Sequence, residues 1–277
     1  RNQRSWLGFG LIALGLGVAL CAALGPLWLD EIAYRTSPSA LNQIIGSDAA
    51  GLFLVAPASI VIGALVLRGR PGAAVLGLGP AVFVAYTTTQ LVVGNEYLDR
   101  PGNVEKFFPL LLGLFVLASA VAIGSWAASA REPLPEASRR ADKVAGIVLV
   151  AIAAFVVIGL HLPTYLDALS SRPTNQGYLS SPTAFWLVKF MDLAIVAPAA
   201  LAVGIGMLVR RPWARRPMYA IVGGYALLGA SVAAMAVVMF VTDDPDASLV
   251  TVAASVVAAL SLVALAGYLY RPVLAHR

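Results

Sequence analysis

Two carboxylates stand out because they interrupt long apolar stretches at matched places. Asp48 follows Pro38 by ten residues, and Asp192 follows Pro182 by ten. Each proline belongs to a Ser-Pro-Ser/Thr-Ala opening, Ser37 to Ala40 and Ser181 to Ala184. Each acid is followed by a Val-Ala-Pro break, Val55-Ala56-Pro57 and Val196-Ala197-Pro198. The stretches close on basic turns at Arg68 and at Arg210-Arg211-Pro212. Ionisable groups inside a membrane are costly and tend to mark substrate or ion pathways, so a carboxylate pair suggests binding of a small solute, with Tyr86 and Tyr225 as mid-span partners. A competing reading makes the acids structural, solvated or paired with Lys189 and Arg35; Lys189 sits three residues before Asp192, within helical reach.

The other reactive residues are sparse. His161, near the outer end of a span, reads as an interfacial hydrogen-bonding group or a proton relay. Asp30, Glu31 and Asp167 stand at span ends, in Pro-x-aromatic-Leu-Asp pairs at Pro26 to Asp30 and Pro163 to Asp167. Asp243, Asp244 and Asp246 read as a solvated turn. Cys21 is the only cysteine, and His161 and His276 are the only histidines, which argues against a metal site or a bound cofactor.

The elements that position these residues follow from composition. Of 277 residues, 60% are hydrophobic and 12% charged, half the charge of a soluble domain. Apolar runs of about 20 residues cross a bilayer, and eight are expected, at 6–29, 47–67, 72–94, 107–129, 144–163, 187–209, 217–241 and 248–270. The first is too long for a signal-peptide core and reads as a retained span. Ser37 and Ser181 are expected to cap their helices with proline at the first helical position, and Pro57 and Pro198 to kink them as hinges. Clustered glycines such as Gly8, Gly15, Gly204 and Gly223 mark close helix packing.

Because the matched stretches recur, the chain is expected to be an all-α membrane protein of eight transmembrane helices in two parallel four-helix repeats (4+4), related by a pseudo-twofold axis along the membrane normal. The divisions are 1–130, a 131–143 linker, and 144–277. Eight spans put both termini on one side. Fourteen basic residues fall on that side (Arg1, Arg4, Arg68, Arg70, Arg131, Arg139, Arg140, Lys143, Arg210, Arg211, Arg215, Arg216, Arg271 and Arg277) against five on the other (Arg35, Arg100, Lys106, Arg172 and Lys189). The termini are therefore expected to be cytoplasmic. The net charge of +5 is a topology signal with anionic lipid as its partner, which removes the case for nucleic acid. A membrane-protein partner or a second copy is a further expectation.

Two resemblances follow from these residues. Asp30-Glu31 resembles the Asp-Glu pair of membrane glycosyltransferases that use polyprenyl-phosphate sugars, which would imply a carboxylate acting as base or metal ligand. More widely, Tyr34, Gln43 with Gly46-Ser47-Asp48, Val55-Ala56-Pro57, Arg68-Gly69, Tyr86, Asn103 with Phe107-Phe108, Met191-Asp192-Leu193 with Pro198, and Arg210-Arg211-Pro212 resemble a family of bacterial multi-span inner-membrane proteins of uncharacterised activity. That resemblance implies fold and location. Three functions remain open: a small-solute carrier or channel with Asp48 and Asp192 lining an outward-facing cavity, an assembly or lipid-binding accessory protein, and a lipid-linked sugar transferase.

Overall fold

The computed structural model describes residues 2–132, 134 and 138–275, leaving aside the side chains of Asn2 and Gln3. Arg1, His276 and Arg277, which entered the charge and ligand arguments, lie outside the described residues. Among the described residues all regular structure is helical, and eight helices are long and apolar enough to cross a membrane, the make-up of a multi-pass membrane protein. They are α1 (Asn2–Leu24), α2 (Pro38–Leu67), α3 (Ala73–Val93), α4 (Val104–Ser129), α5 (Arg139–Ala168), α6 (Pro182–Leu208), α7 (Pro212–Val241) and α8 (Leu249–Ala275). The first span is shorter than its apolar run, because Gly25 and Pro26 turn the chain after Leu24.

Proline shapes three of these helices in one way. A proline ring clashes with the carbonyl four residues back and offers no N–H. The chain responds by widening the preceding turn to i→i−5 bonding. The wide turns are Gly51–Val55 in α2, Phe155–His161 in α5 and Asp192–Val196 in α6, and each ends two residues before a proline, at Pro57, Pro163 and Pro198. The Ala56 and Ala197 amides donate five residues back to Gly51 and Asp192. Hydroxyls reach the last carbonyl of two of the turns: Ser59 donates to Val55 at 2.7 Å and Tyr225 to Val196 at 3.4 Å.

Helix pairing brings α1 against α2, α5 against α6, α3 against α4 and α7 against α8. Glycine sets the first two. A Cβ on Gly63 would lie 2.7 Å from the Gly8 carbonyl, and one on Gly146 would lie 2.8 Å from the Gly204 carbonyl. The first part of α2 packs on α7, the first part of α6 touches α3, and α3 packs on α7. Here too the approach is backbone to backbone: Gly46 lies on the Met235 backbone, and a Cβ on Gly79 would sit 3.0 Å from the Gly223 Cα.

At one end of the bundle the starts of α2 and α6 converge. The Ser37 hydroxyl caps its helix by accepting from the Ala40 amide. Ser181 does not cap, contrary to expectation; its hydroxyl donates to Ser37 at 2.9 Å. The α6 start is held instead by Glu96, whose carboxylate accepts from the Thr183 amide at 2.7 Å and its hydroxyl at 2.6 Å. Asp244 is buried, not solvated, and accepts from Asn42 at 2.9 Å and Ser39 at 3.3 Å near the α2 start. Two helix N-termini brought together concentrate positive partial charge, and each has a carboxylate beside it. At the other end Arg4 pairs with Glu132 and Arg216 donates to the Ser129, Ala130 and Glu132 carbonyls.

The seam between α2 and α7 has no room for a side chain at Gly46. Gly46→Leu should therefore cost about 1–3 kcal/mol through overpacking, seen as a lower melting temperature in detergent. Gly113→Leu, with open space around it, should leave melting unchanged. Equal behaviour of the two would refute the seam.

Asp244 yields a pH prediction. Burial pushes its carboxyl up, but bonds from the Asn42 side chain, the Asp246 amide and the Ser39 hydroxyl outweigh this and hold it below the ordinary carboxylate value. A depressed carboxyl stabilises the fold above its unfolded pKa of about 3.9 and loses that contribution as pH falls through the lower folded value. Melts at pH 6 should separate wild type from Asp244→Ala, and the separation should shrink as the pH is taken progressively below about 3.9.

Candidate functional site

The two carboxylates have different surroundings. Asp192 opens the wide turn of α6, and its Oδ1 accepts from the Tyr86 hydroxyl of α3 at 2.7 Å. Its Oδ2 lies 2.8 Å from Nε2 of His161, which ends the wide turn of α5. On the other side of the imidazole, Nδ1 is 3.4 Å from the Lys189 ammonium. Lys189 also donates to the Thr164 hydroxyl at 2.5 Å and stands 4.0 Å over the Phe185 ring, a cation–π contact. Thr164 in turn donates to the Leu160 carbonyl.

Donors and acceptors in this chain assign one arrangement. An ammonium has only donors, so Nδ1 accepts and Nε2 carries the proton given to Asp192. A cation and an anion are thereby joined through a neutral ring. Asp192, His161 and Lys189 are 7%, 4% and 6% exposed, so the link is buried from end to end. The expected i,i+3 pair of Lys189 with Asp192 is replaced by this relay, because α5 inserts His161 between them. His161 is buried within the bundle and bonded at both ring nitrogens.

Asp48 has no such company. It is 8% exposed and faces the C-terminal end of α1, where a Cβ on Gly25 would fall 2.5 Å from its Oδ2. Neither Asp48 Oδ2 nor the buried Tyr34 hydroxyl has a hydrogen-bond partner among the described residues. Burial lifts the Tyr34 hydroxyl well above the ordinary phenol range, with Asp48 and Cys21 adding to the effect. Arg35, the partner suggested by sequence, bonds Glu105 and the Arg100 carbonyl instead.

Between the starts of α2 and α6 lies a cavity of about 120 Å³, closed laterally by α3 and α7. Tyr34, Gln43, Ser47, Thr87, Gln90 and Asn95 supply its polar wall. Neither Asp48 nor Asp192 is in that wall. Asp192 is one helical turn beyond the lining residue Val188, and Tyr86 one turn beyond Gln90, which is near enough to its hydroxyl to interact. Below, Tyr86 and Tyr225 border an apolar cavity of about 110 Å³ between α3, α6 and α7. The two tyrosines thus bracket the α6 wide turn, one hydroxyl at its first residue and one at its last.

The remaining sequence candidates lie elsewhere. Asp30 and Glu31 are exposed in the turn after α1. Asp167 accepts from the Thr174 amide and hydroxyl and the Asn175 amide, clamping the loop that follows α5. No cluster of three metal-ligating side chains occurs among the described residues. Sequence reasoning missed Thr164 and the cavity residue Gln90, and it noted Gln43 only in a resemblance and not as a site residue. Thr164 stands three residues after His161, on the same helix face, which was a usable signal.

Loss of charge should therefore act unequally on the two acids. Asp192→Asn removes the acceptor of a charge-assisted bond and should cost about 1.5–3 kcal/mol. Asp48→Asn removes no hydrogen bond and should cost less than Asp192→Asn. Thermal melts of the two variants in one detergent check this, and the reverse order would refute the assignment. Compared with known proteins, the chain matches no protein-family model, no curated protein and no solved structure.

Proposed function

We propose that the protein is a carrier or channel-like protein for a small polar solute, whose passage is tied to a proton held on the His161–Asp192 pair. The observation that carries this reading is the polar cavity between α2 and α6 standing one turn above a buried chain of ionisable groups. A solute bonded to Gln43, Gln90 or Asn95 acts on Tyr86 through Gln90. Movement of Tyr86 alters the acceptor strength of Asp192, and so the proton shared with His161. A proton added at Asp192 removes the charge that Lys189 balances, which gives the chain two states of different electrostatic energy. Asp48, on the neighbouring helix, serves as a second acidic group of the pathway, and the wide turns before Pro57 and Pro198 are the places where α2 and α6 bend.

In this reading the chain consists of two parallel four-span repeats, 1–130 and 144–277, joined by 131–143, in a bacterial inner membrane with both termini cytoplasmic. Support comes from correspondences between the halves. The wide turns, the glycines Gly63 and Gly204, and the helix ends at Gly69 and Arg210 share one offset of 141 positions, read directly from the numbering. The helix starts at Pro38 and Pro182 have an offset of 144, so α6 has lost nearly one turn above its proline. Glu96 after α3 holds the α6 start, and Asp244 after α7 holds the α2 start.

The test uses the full chain in liposomes loaded with a pH-sensitive dye and challenged with a panel of amino acids, sugars and polyamines. At least one class should change lumenal pH, and His161→Gln and Asp192→Asn should each slow that change tenfold or more. A dye trace indifferent to every solute, or one unaltered by both substitutions in folded protein, would overturn the reading.

A further inference from the structure

At the arginine end of α6, two adjoining cavities of about 360 and 290 Å³ share Asp142 and Met207. Arg210, Arg211 and Arg215 line the first, and Tyr268 and Arg271 line the second. Four arginines thus surround one carboxylate. Asp142 Oδ2 takes Arg210 Nε at 3.4 Å and Arg215 Nη2 at 3.7 Å. Asp142 is 3% exposed, and its Oδ1 is buried without a hydrogen-bond partner. Arg211 and Arg271 have no side-chain partner among the described residues, whereas Arg4 and Arg216 at the same end are bonded. The cleft therefore holds surplus guanidinium charge together with one unused acceptor.

α5 and α8 flank the cleft, yet they touch only sparsely, while α1 and α4 pack on each other. α8 presents Leu260, Val263 and Tyr268 outward. A ligand matched to these features carries a phosphate for the guanidinium groups, a hydroxyl donor for Asp142 Oδ1, and acyl chains for the gap between α5 and α8.

We infer that this cleft binds an anionic phospholipid of the phosphatidylglycerol type, with its phosphodiester at Arg211 and Arg271, its headgroup hydroxyl at Asp142, and one chain between α5 and α8. The phosphate is contacted by the free arginines, and Arg210 and Arg215 hold the carboxylate in place. This site is separate from the His161 relay and does not depend on the transport reading.

The experiment is native mass spectrometry of the purified protein equilibrated with equal phosphatidylglycerol and phosphatidylcholine of the same chains. Phosphatidylglycerol should be retained in excess. Arg211→Gln and Arg271→Gln should each weaken its retention about fivefold, the share of one basic residue near a membrane surface, with melting unchanged. Arg139→Gln, outside the cleft, should leave retention as it is. Equal retention of the two lipids in wild-type protein would overturn the inference, a result that needs no variant to fold. So would an equal loss in Arg139→Gln, which would indicate diffuse surface charge, or full displacement by millimolar glycerol phosphate, which would indicate a soluble anion.

Discussion

An ammonium and a carboxylate cannot both lie in a hydrocarbon interior unless their charges are joined by groups that also meet their hydrogen-bonding needs. In this protein the joining group is the imidazole of His161, and much of the bundle serves to bring it there. The wide turn Phe155–His161 ends α5's irregular segment at the histidine itself. The wide turn Asp192–Val196 begins at the acid. Two prolines, each two residues beyond its turn, fix these positions by steric exclusion. Tyr86 and Thr164 then complete the chain at its ends, so that no member faces lipid with an unmet donor.

The halves of the chain use similar parts for different ends. Counted back from the proline, Lys189 stands where Asp48 stands in α2, and Asp192 stands where Gly51 stands. One half thus has an acid alone against the end of α1, and the other has an acid and a base bridged by an imidazole. The difference comes from a three-residue change in spacing above the proline. Such a change turns a helix by most of a revolution less a small angle, so the side chains keep nearly the same face while moving closer to the break. The carboxylate of α6 reaches the wide turn; that of α2 stays one turn above it.

The eight spans were legible because hydrocarbon thickness sets a length that apolar runs report directly. The repeated Ser-Pro, Asp and Val-Ala-Pro elements located α2 and α6, and the sequence marked Asp192, Tyr86 and Tyr225 as candidate solute-binding residues with His161 as a secondary candidate. Their partnership was not legible. Lys189 and Asp192 are three apart in one helix, and nothing local announces that a histidine twenty-eight residues earlier will enter between them. The capping roles of Glu96 and Asp244 were hidden for the same reason, since a carboxylate that caps a distant helix leaves no local spacing pattern. Ser181 had every local mark of a cap and yet bonds to Ser37, because the two helix starts are close enough to compete for it. Wide turns were also unreadable as such: proline predicts a break, and only packing decides whether the chain kinks or widens.

Along the seam, Gly46 rests on the backbone of Met235 and Gly79 on that of Gly223. At those two points the helices stand closer than the width of a hydrocarbon chain. Bilayer thickness and lateral pressure consequently cannot act by wedging lipid into these contacts. They reach the interior only by tilting the peripheral helices, and the outlying α8, which has the least protein around it, is the first to feel a change in membrane composition.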